Sequence, residues 1–559
     1  MPDTHTALLS GSPRFSDARQ AALALGGDVA AAWGLALQGD PKAAAQAVSG
    51  DFAVGLREPS GRTILAVDRF AIRSLCYRVQ DGQLRFASGA DALADAGTQI
   101  DPQAIFDYLY FHVIPSPRTI YKGIYRLPPG HFALFEAGQL TVAPYWVPTF
   151  VEQQGASFDT LKDEFRQVLR EAVDTQLDSG KPACFLSGGT DSSTVVGMAS
   201  LASGATVATY SIGFDAQGYD EMEFARVAAK HFKTEHHEYY VTPDDLVRSI
   251  PAVAAHFDQP FGNSSALPAY YCAKMAREDG VTKLLAGDGG DELFGGNTRY
   301  AKQRVFGWYE GIPSALRGAL LEPASGLSAM NKVPLVRKAA SYVNQAKVPM
   351  PDRLMTYNLL FRLGVQEVLT PALLAQVNQL DPQRQQREVW AQVRQDSSLV
   401  NRMLAFDWRY TLSDCDLPKV VGSTALAGVG VGFPMLDDRL LAFSQKLPTA
   451  YKLKGLQLRW FFKEALRGFL PDETIAKKKQ GFGLPFGVWA NTHPGLNALA
   501  TDSLHSLAAR GVVRADFVQT ILTQRLAEHP GYYGEMVWIL MMLEQWLAAK
   551  APQFSLASR

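Results

Sequence analysis

Cysteine is scarce: Cys76, Cys184, Cys272 and Cys415 are the 4 in 559 residues. No two form a Cys-x-x-Cys pair, which excludes a disulfide framework and gives no zinc-ligand spacing. Buried thiols in a reducing compartment are expected instead. An excess of either charge is also missing, with 54 Lys and Arg against 55 Asp and Glu and a formal net charge of −1. That excludes a broadly basic surface for nucleic acid and an acidic tail. No run of about 20 uncharged apolar residues occurs, so no membrane-spanning helix is expected. The nearest approach, Met536 to Leu543, lies between Glu535 and Glu544 and predicts a packed helix. Met1-Pro-Asp-Thr-His lacks the basic-then-apolar pattern of a signal peptide. A cytoplasmic globular protein is implied, with neither membrane nor nucleic acid as partner, and its length calls for several domains.

What is present centres on Cys184-Phe-Leu-Ser187-Gly188-Gly189-Thr190-Asp191-Ser192-Ser193. The apolar run Ala183 to Leu186 predicts a short buried strand, and Thr194-Val-Val-Gly-Met198 continues with helical spacing. A strand turning sharply into a helix aims the first amides of that helix at a ligand. Glycines permit the tight turn and a close backbone approach, and the helix N-terminus favours phosphate. Asp191 fits there if Mg²⁺ sits between it and the phosphate, since Mg²⁺ is usually held by one or two carboxylates plus phosphate oxygens. The pattern Ser-Gly-Gly-x-Asp-Ser resembles the pyrophosphate-binding loop of the ATP pyrophosphatases, which cleave ATP to AMP and pyrophosphate. It is unlike the Gly-Lys-Ser/Thr loop of the other nucleotide-binding class. The alternative is an ordinary strand-to-helix turn with Asp191 as a first-turn cap.

Residues 1 to about 150 are β-rich. Asp51 to Leu56, Thr63 to Val67, Ser74 to Val79 and Gln83 to Ala87 have strand length and composition, and turn residues separate them. His131 to Phe135 followed by Gly138 predicts a further hairpin, and Ala18 to Leu37 a helix. An α+β sandwich is the packing these elements imply. Residues 147 to 157 are linker-like. Beyond them the pattern alternates. Phe158 to Leu177 is an amphipathic helix, Thr206 to Ile212 a strand, Glu221 to His231 a helix and Glu238 to Val241 a strand. Thr242 and Pro243 open another helix as cap and first residue. Ala266 to Glu278 is helical and Lys283 to Ala286 is a strand. Such alternation implies an α/β doubly wound parallel sheet, with ligands outside the carboxyl ends of its strands.

The last of these strands runs into Gly287-Asp288-Gly289-Gly290-Asp291-Glu292-Leu293-Phe294-Gly295-Gly296. Glycine at this density serves close approach, because it weakens strands and helices alike. Both loops leave the sheet at the same edge, so Asp191 and Asp291 can face one cavity, where a cation must screen their repulsion. A calcium loop is the alternative, but the closing glutamate of an EF-hand is missing. His231, His236 and His237 lie close in sequence but flank a helix end and a strand start, which favours surface roles over a metal cluster.

On these motifs the chain resembles the asparagine synthetase family over nearly its whole length. Gly50-Asp-Phe-Ala53, Val67-Asp-Arg-Phe70, Leu75-Cys-Tyr77, Arg126-Leu-Pro-Pro-Gly-His131 and Pro144-Tyr-Trp146 look like the later part of the family's glutaminase domain, of the N-terminal-nucleophile class. Asp258-Gln-Pro260, Leu417-Pro-Lys419, Gly432 to Asp437 and Lys479 to Pro485 look like landmarks of its synthetase domain. The resemblance implies a glutaminase-like part over 1–150 and an ATP pyrophosphatase-like synthetase part over 158–550, helical from about 300. No cysteine precedes Cys76 and the Asn-Gly-Glu segment that grips glutamine is missing, so the first part is expected to be degenerate.

The family makes an acyl-adenylate and pyrophosphate from ATP and a carboxylate, and an amine then attacks to form an amide. By position, the backbone near Leu186 and Gly287 would hold AMP. Ser187, Gly188, Gly189, Asp191, Ser192 and Ser193 would hold pyrophosphate, and Asp191 and Asp291 would bind Mg²⁺. Lys479 would be a fixed cation at the α-phosphate. Asp288 stands where asparagine synthetase has glutamate and β-lactam synthetase a tyrosine; it would act as base on the amine, helped by Asp414 or Asp416. The family's Gly-Leu-Glu-x-Arg-x-Pro stretch reads Gly428-Val-Gly-Val-Gly-Phe-Pro434, which predicts a roomier substrate side and argues against free aspartate. Asn297 and Gln259 also depart from the usual tyrosine and glutamate. The expected substrates are a small-molecule or peptide carboxylate and ammonia or an amine, with ATP and Mg²⁺ as cofactors; a homodimer is compatible with this. The alternatives are an intramolecular cyclase, as in β-lactam synthetase and the lasso-peptide cyclases, and a non-catalytic scaffold. Intact Asp191, Asp291 and Lys479 argue against the last.

Overall fold

The computed structural model describes residues 6–310, 342–477 and 483–557. Its N-terminal part holds an antiparallel five-stranded sheet in the spatial order Ala7–Gly11, Phe52–Arg57, Thr63–Val67, His131–Glu136 and Gln139–Pro144. A second sheet orders Gln83–Ala87, Cys76–Gln80 and Tyr125–Arg126. One apolar cluster, with Leu65, Leu75, Leu84, Phe86 and Phe135, draws on strands of both sheets. The helix expected over Ala18 to Leu37 is two helices, Ala18–Leu25 and Val29–Ala36. Gly27 turns the chain with φ +90°, and the Asp28 carboxylate caps the second helix by accepting from the Ala31 amide at 2.9 Å.

The second part is built on a five-stranded parallel sheet. Its strands are β1 (Ala183–Phe185), β2 (Ala208–Phe214), β3 (Glu235–Val241), β4 (Lys283–Leu285) and β5 (Gly430–Gly432), in the spatial order β3-β2-β1-β4-β5. Every pairing is parallel, with Cys184 opposite Thr209 on one side and Leu285 on the other. Strand order therefore reverses direction between β1 and β4, and an open sheet of this kind leaves a crevice at that switch point. Helix α1 (Phe158–Gln176) buries Leu161, Phe165, Leu169, Ala172 and Val173, the apolar stripe its spacing predicts. Helices α2 (Thr190–Ser203), α3 (Met222–Phe232), α4 (Pro243–His256) and α5 (Ala266–Glu278) follow. Thr242 caps α4 in a reciprocal capping box with Asp245.

Beyond residue 342 the described chain is mostly helical. Helix α6 (Leu417–Ala427) follows directly on a π-helix, Trp408–Asp416, and α7 (Trp460–Ala465) is short. The apolar stretch 536–543 lies inside α8 (Pro530–Lys550), where it is buried throughout. Glu544, also buried, pairs with Arg510 at 2.7 Å and accepts from Ser506 at 2.7 Å. Among the described residues no helix is long and apolar enough to cross a membrane.

Gly188 is a position at which this fold tolerates no side chain. Its φ is +68°, and a Cβ there would sit 2.4 Å from the backbone of Phe224 and Ala225 in α3. Gly188→Ala is expected to destabilise by about 1–3 kcal/mol, through left-handed strain plus the clash. Denaturant unfolding monitored by circular dichroism measures it; a change below 0.5 kcal/mol, the size of an ordinary surface effect, would refute the packing argument.

Candidate active site

The crevice between β1 and β4 opens into a cavity of about 390 Å³. Chain leaving β1 passes through Leu186 and Ser187, turns at Gly188, and enters α2 behind Gly189 as its N-terminal flanking residue. The Ser187 amide donates to Ser192 Oγ at 3.1 Å, and the two serine hydroxyls are 3.1 Å apart. Those bonds hold the loop closed on itself and place Asp191 in the first turn of the helix. Chain leaving β4 passes Gly287 and Asp288 and forms a short helix, Gly290–Phe294, whose first turn carries Asp291.

Glycine is what lets these loops meet. A Cβ at Gly287 would lie 2.7 Å from the Ser192 nitrogen, and one at Gly290 would lie 2.4 Å from an Asp191 carboxylate oxygen. At Gly296 it would collide with the Asp291 carboxylate. The dense glycines of the 287–296 segment thus clear the space in which the two carboxylates stand.

Between them lies Arg459, which the sequence reading missed. Its guanidinium Nη1 donates to Asp291 Oδ1 at 2.6 Å, to Thr190 Oγ1 at 3.0 Å and to Asp191 Oδ2 at 3.1 Å, while Nη2 bonds Asp191 Oδ1. The side chain keeps only 7% of its surface exposed and lies over the Phe462 ring, 4.3 Å from its centre. Burial lowers its pKa to about 9, so it is charged at neutral pH. Arg459 has φ +55° and directly precedes α7. A cation set against the aromatic run Trp460-Phe461-Phe462 is the signal that would have found it.

A second charge cluster lines the same cavity. Lys419 Nζ, on α6, is 3.0 Å from Asp416 Oδ1 and 3.5 Å from Asp288 Oδ1. Enclosure raises the Asp288 pKa from its ordinary value, against the pull of Lys419, although 23% of the side chain stays open at the cavity it lines. Burial alone would lower Lys419, but Asp416 and Asp288 hold its pKa above the ordinary value.

Of the residues expected at the site, Leu186, Ser187, Asp191, Ser192, Gly287, Asp288, Asp291 and Asp416 line this cavity, as does Asn297. Gly188 and Gly189 shape the turn. Ser193 is fully buried in α2 and is not part of this lining. Asp414 does not join Asp288 either. Its carboxylate accepts from the Ser116 amide at 3.1 Å and hydroxyl at 3.0 Å, lies 3.0 Å from Arg409, and lines a different cavity at the N-terminal part. The reason is the π-helix, whose turn puts Thr411 and Asp416 on one face and Ser413 and Asp414 on another. The stretch 428–434 is also elsewhere. A Cβ at Gly432 would meet the Gln176 carboxamide at 2.5 Å, and the strand lines a junction cavity with Lys283 and Arg73, so its glycines add no room beside Asp288. Gln259 is buried at the junction, bonding the Ile120 amide and the Ile114 carbonyl. Lys479 lies outside the described residues. His231 approaches the Phe469 carbonyl, His236 contacts Thr209 and His237 stacks on Tyr210. Among the described residues no group of three or more His, Cys, Asp or Glu is arranged to hold a metal.

The donor set does fit Mg²⁺. Asp191 and Asp291 converge on one cation, here the guanidinium, and Mg²⁺ characteristically takes one or two carboxylates plus phosphate oxygens.

A parallel sheet with a serine- and glycine-lined crevice at its switch point, facing paired carboxylates and a fixed cation, defines an enzyme built to handle phosphate. A family model described as Asparagine synthase matches residues 164–548, and one described as Glutamine amidotransferase domain matches 35–146. The chain belongs to the asparagine synthase family and is an ATP-dependent, amide-forming ligase. It is 26% identical over 488 residues to asparagine synthetase (glutamine-hydrolyzing) 1 of Bacillus subtilis, covering 86% of this chain and 74% of that protein. Over 283 residues it is 31% identical to putative asparagine synthetase (glutamine-hydrolyzing) 2 of Methanocaldococcus jannaschii, 49% of this chain and 54% of that one. Amidase chry2 of Gibberella zeae is 22% identical over 501 residues, 81% of this chain and 72% of that protein.

The raised pKa of Asp288 has a stability consequence. The folded protein holds this proton more tightly than the unfolded chain, so the contribution is fully present below the ordinary 3.8 and is lost as pH rises through the raised value. Asp288→Asn should flatten that decline, which urea unfolding across the acidic range would record; an unchanged pH slope would show that Asp288 ionises freely.

Proposed function

We propose that this chain adenylates a carboxylate with ATP and passes the acyl group to ammonia or another amine, without hydrolysing glutamine itself. The observation that carries the proposal is the convergence of Asp191, Asp291 and Arg459 beside the Ser187–Ser192 loop, at the sheet's switch point. In this reading residues 1–150 are a degenerate glutaminase-like part and 158–550 the synthetase part.

The backbone at Leu186 and Gly287 holds the AMP portion, and Ser187, Gly189, Ser192 and the first amides of α2 hold the β and γ phosphates, where the helix dipole favours negative charge. A substrate carboxylate oxygen attacks the α-phosphorus in line as the bond to pyrophosphate breaks. Asp191 and Asp291 would hold Mg²⁺, which when bound neutralises charge building on the phosphate oxygens. Arg459 supplies a positive charge on the same side, and Lys479, by the family resemblance, supplies a fixed one at the α-phosphate. In the second step the amine nitrogen bonds the acyl carbon, the acyl–phosphate bond breaks and AMP leaves, while Asp288 takes the proton from the attacking amine. Lys419, anchored by Asp416, positions Asp288; Asp414 has no part in the proton transfer.

The state of the thiols supports independence from glutamine. Cys76 is wholly buried in its strand with its thiol pushed up to about 12. Burial also raises Cys184 and Cys272, and it pushes Cys415 up to about 12, so no thiol is poised as a nucleophile. The near-zero net charge supports small-molecule or peptide substrates over nucleic acid.

Exchange of labelled pyrophosphate into ATP, screened over free and peptide carboxylates, tests the adenylation. Asp191→Asn and Asp291→Asn are each expected to lose on the order of 100-fold or more of the exchange. Asp288→Asn should keep exchange but lose amide formation, and ammonium but not glutamine should support the product. Exchange with no acid, or amide formed from glutamine, would defeat the proposal.

A further inference from the structure

The cation between Asp191 and Asp291 is supplied by the chain itself. Both carboxylates accept from Arg459, Asp191 through both oxygens and Asp291 through Oδ1, and Arg459 also donates to Thr190 in the first turn of α2. Where Gly290 and Gly296 lack a side chain, the nearest groups are the Asp191 carboxylate on one side and Asp291 with Arg459 on the other. Lys463, a cation near the cluster, donates instead to the Ile475 carbonyl at 2.8 Å. A divalent ion entering alone must push the guanidinium out. Arginine does not escape by losing its proton, and a buried guanidinium stripped of its partners costs far more than an exposed pair gains. The exchange becomes favourable only when another anion takes the guanidinium, and a phosphate offers it paired, charge-assisted bonds. The Thr190 contact keeps Arg459 at the mouth of the loop where such an anion would sit.

We propose that Arg459 is a built-in counter-ion that closes Asp191 and Asp291 to free divalent metal, so that the site accepts a divalent cation only together with a nucleotide. The proposal rests on the reading of these two aspartates as metal carboxylates. Metal and nucleotide binding are then coupled, each strengthening the other by the same factor.

Electron paramagnetic resonance of Mn²⁺ titrated into the full chain tests this without turnover. Wild type should bind Mn²⁺ weakly alone and well with α,β-methylene-ATP. Arg459→Met should bind Mn²⁺ alone about tenfold or more tighter than wild type, within the range over which coupled sites alter one another. Asp291→Asn in either background should abolish that site. Arg459→Gln serves as a second variant, with thermal unfolding checking that each one folds. Wild type binding Mn²⁺ alone as tightly as the Arg459 variants would overturn the proposal and leave the metal reading standing. Failure of every form to bind Mn²⁺, with the nucleotide analogue present, would overturn both.

Discussion

Asp191 and Asp291 arrive on separate loops, from β1 and β4, and meet within reach of one guanidinium. Two carboxylates this close repel one another, and in an enclosed site that repulsion is strong unless a cation lies between them. Arg459 meets that requirement, and other features serve its geometry. Gly290 and Gly296 give up their side chains to make the gap, Gly287 lets the loop backbones touch, and Phe462 floors the guanidinium. Because β1 and β4 are neighbours in the sheet, the strand order fixes how far apart the two loops begin.

Another part of the cavity lining depends on a different constraint. Nine residues in π-helical geometry, Trp408 to Asp416, run directly into α6. One side of this combined element presents Thr411, Asp416 and Lys419 to the nucleotide-sized cavity, and another presents Ser413, Asp414 and Pro418 to the N-terminal part. Ser116 and Arg409 fix Asp414, so the element is pinned from behind. The same junction carries Arg126 on Asp258 at 2.8 Å, Arg14 on Asp437 at 2.8 Å and the Gly50 amide on Asp438 at 2.7 Å. These ties give the N-terminal part a physical role in holding the wall on which Asp288 depends, separate from any chemistry of its own.

Much of this was legible in order along the chain. Apolar spacing placed α1 and its buried face, turn residues separated the N-terminal strands, and Thr242 with Pro243 announced α4. Ser187 to Ser192 and Gly287 to Asp291 were legible as loops that meet at one cavity, because glycine beside carboxylate has few other physical uses. The paired glycines at 26 and 27, which split the expected first helix, were a local signal passed over. Arg459 was harder, since its meaning depends on two carboxylates far from it in sequence. Asp414 and Asp416 look equivalent when spaced two apart; only the turn of a π-helix separates their directions. The glycines at 428–432 suggested extra space, but space belongs to whatever lies opposite, here Gln176 and Lys283.

Sequence by itself determined the elements and the two loops, because hydrophobic period, capping and glycine's lack of a side chain act over a few residues. Tertiary structure alone decided which charges share an enclosure. Arg459 rather than a surface lysine lies between the aspartates, Lys419 holds Asp288, and Asp414 turns away. Electrostatic partnership falls off within a few ångströms and depends on burial, so it exists only once distant segments have packed against each other.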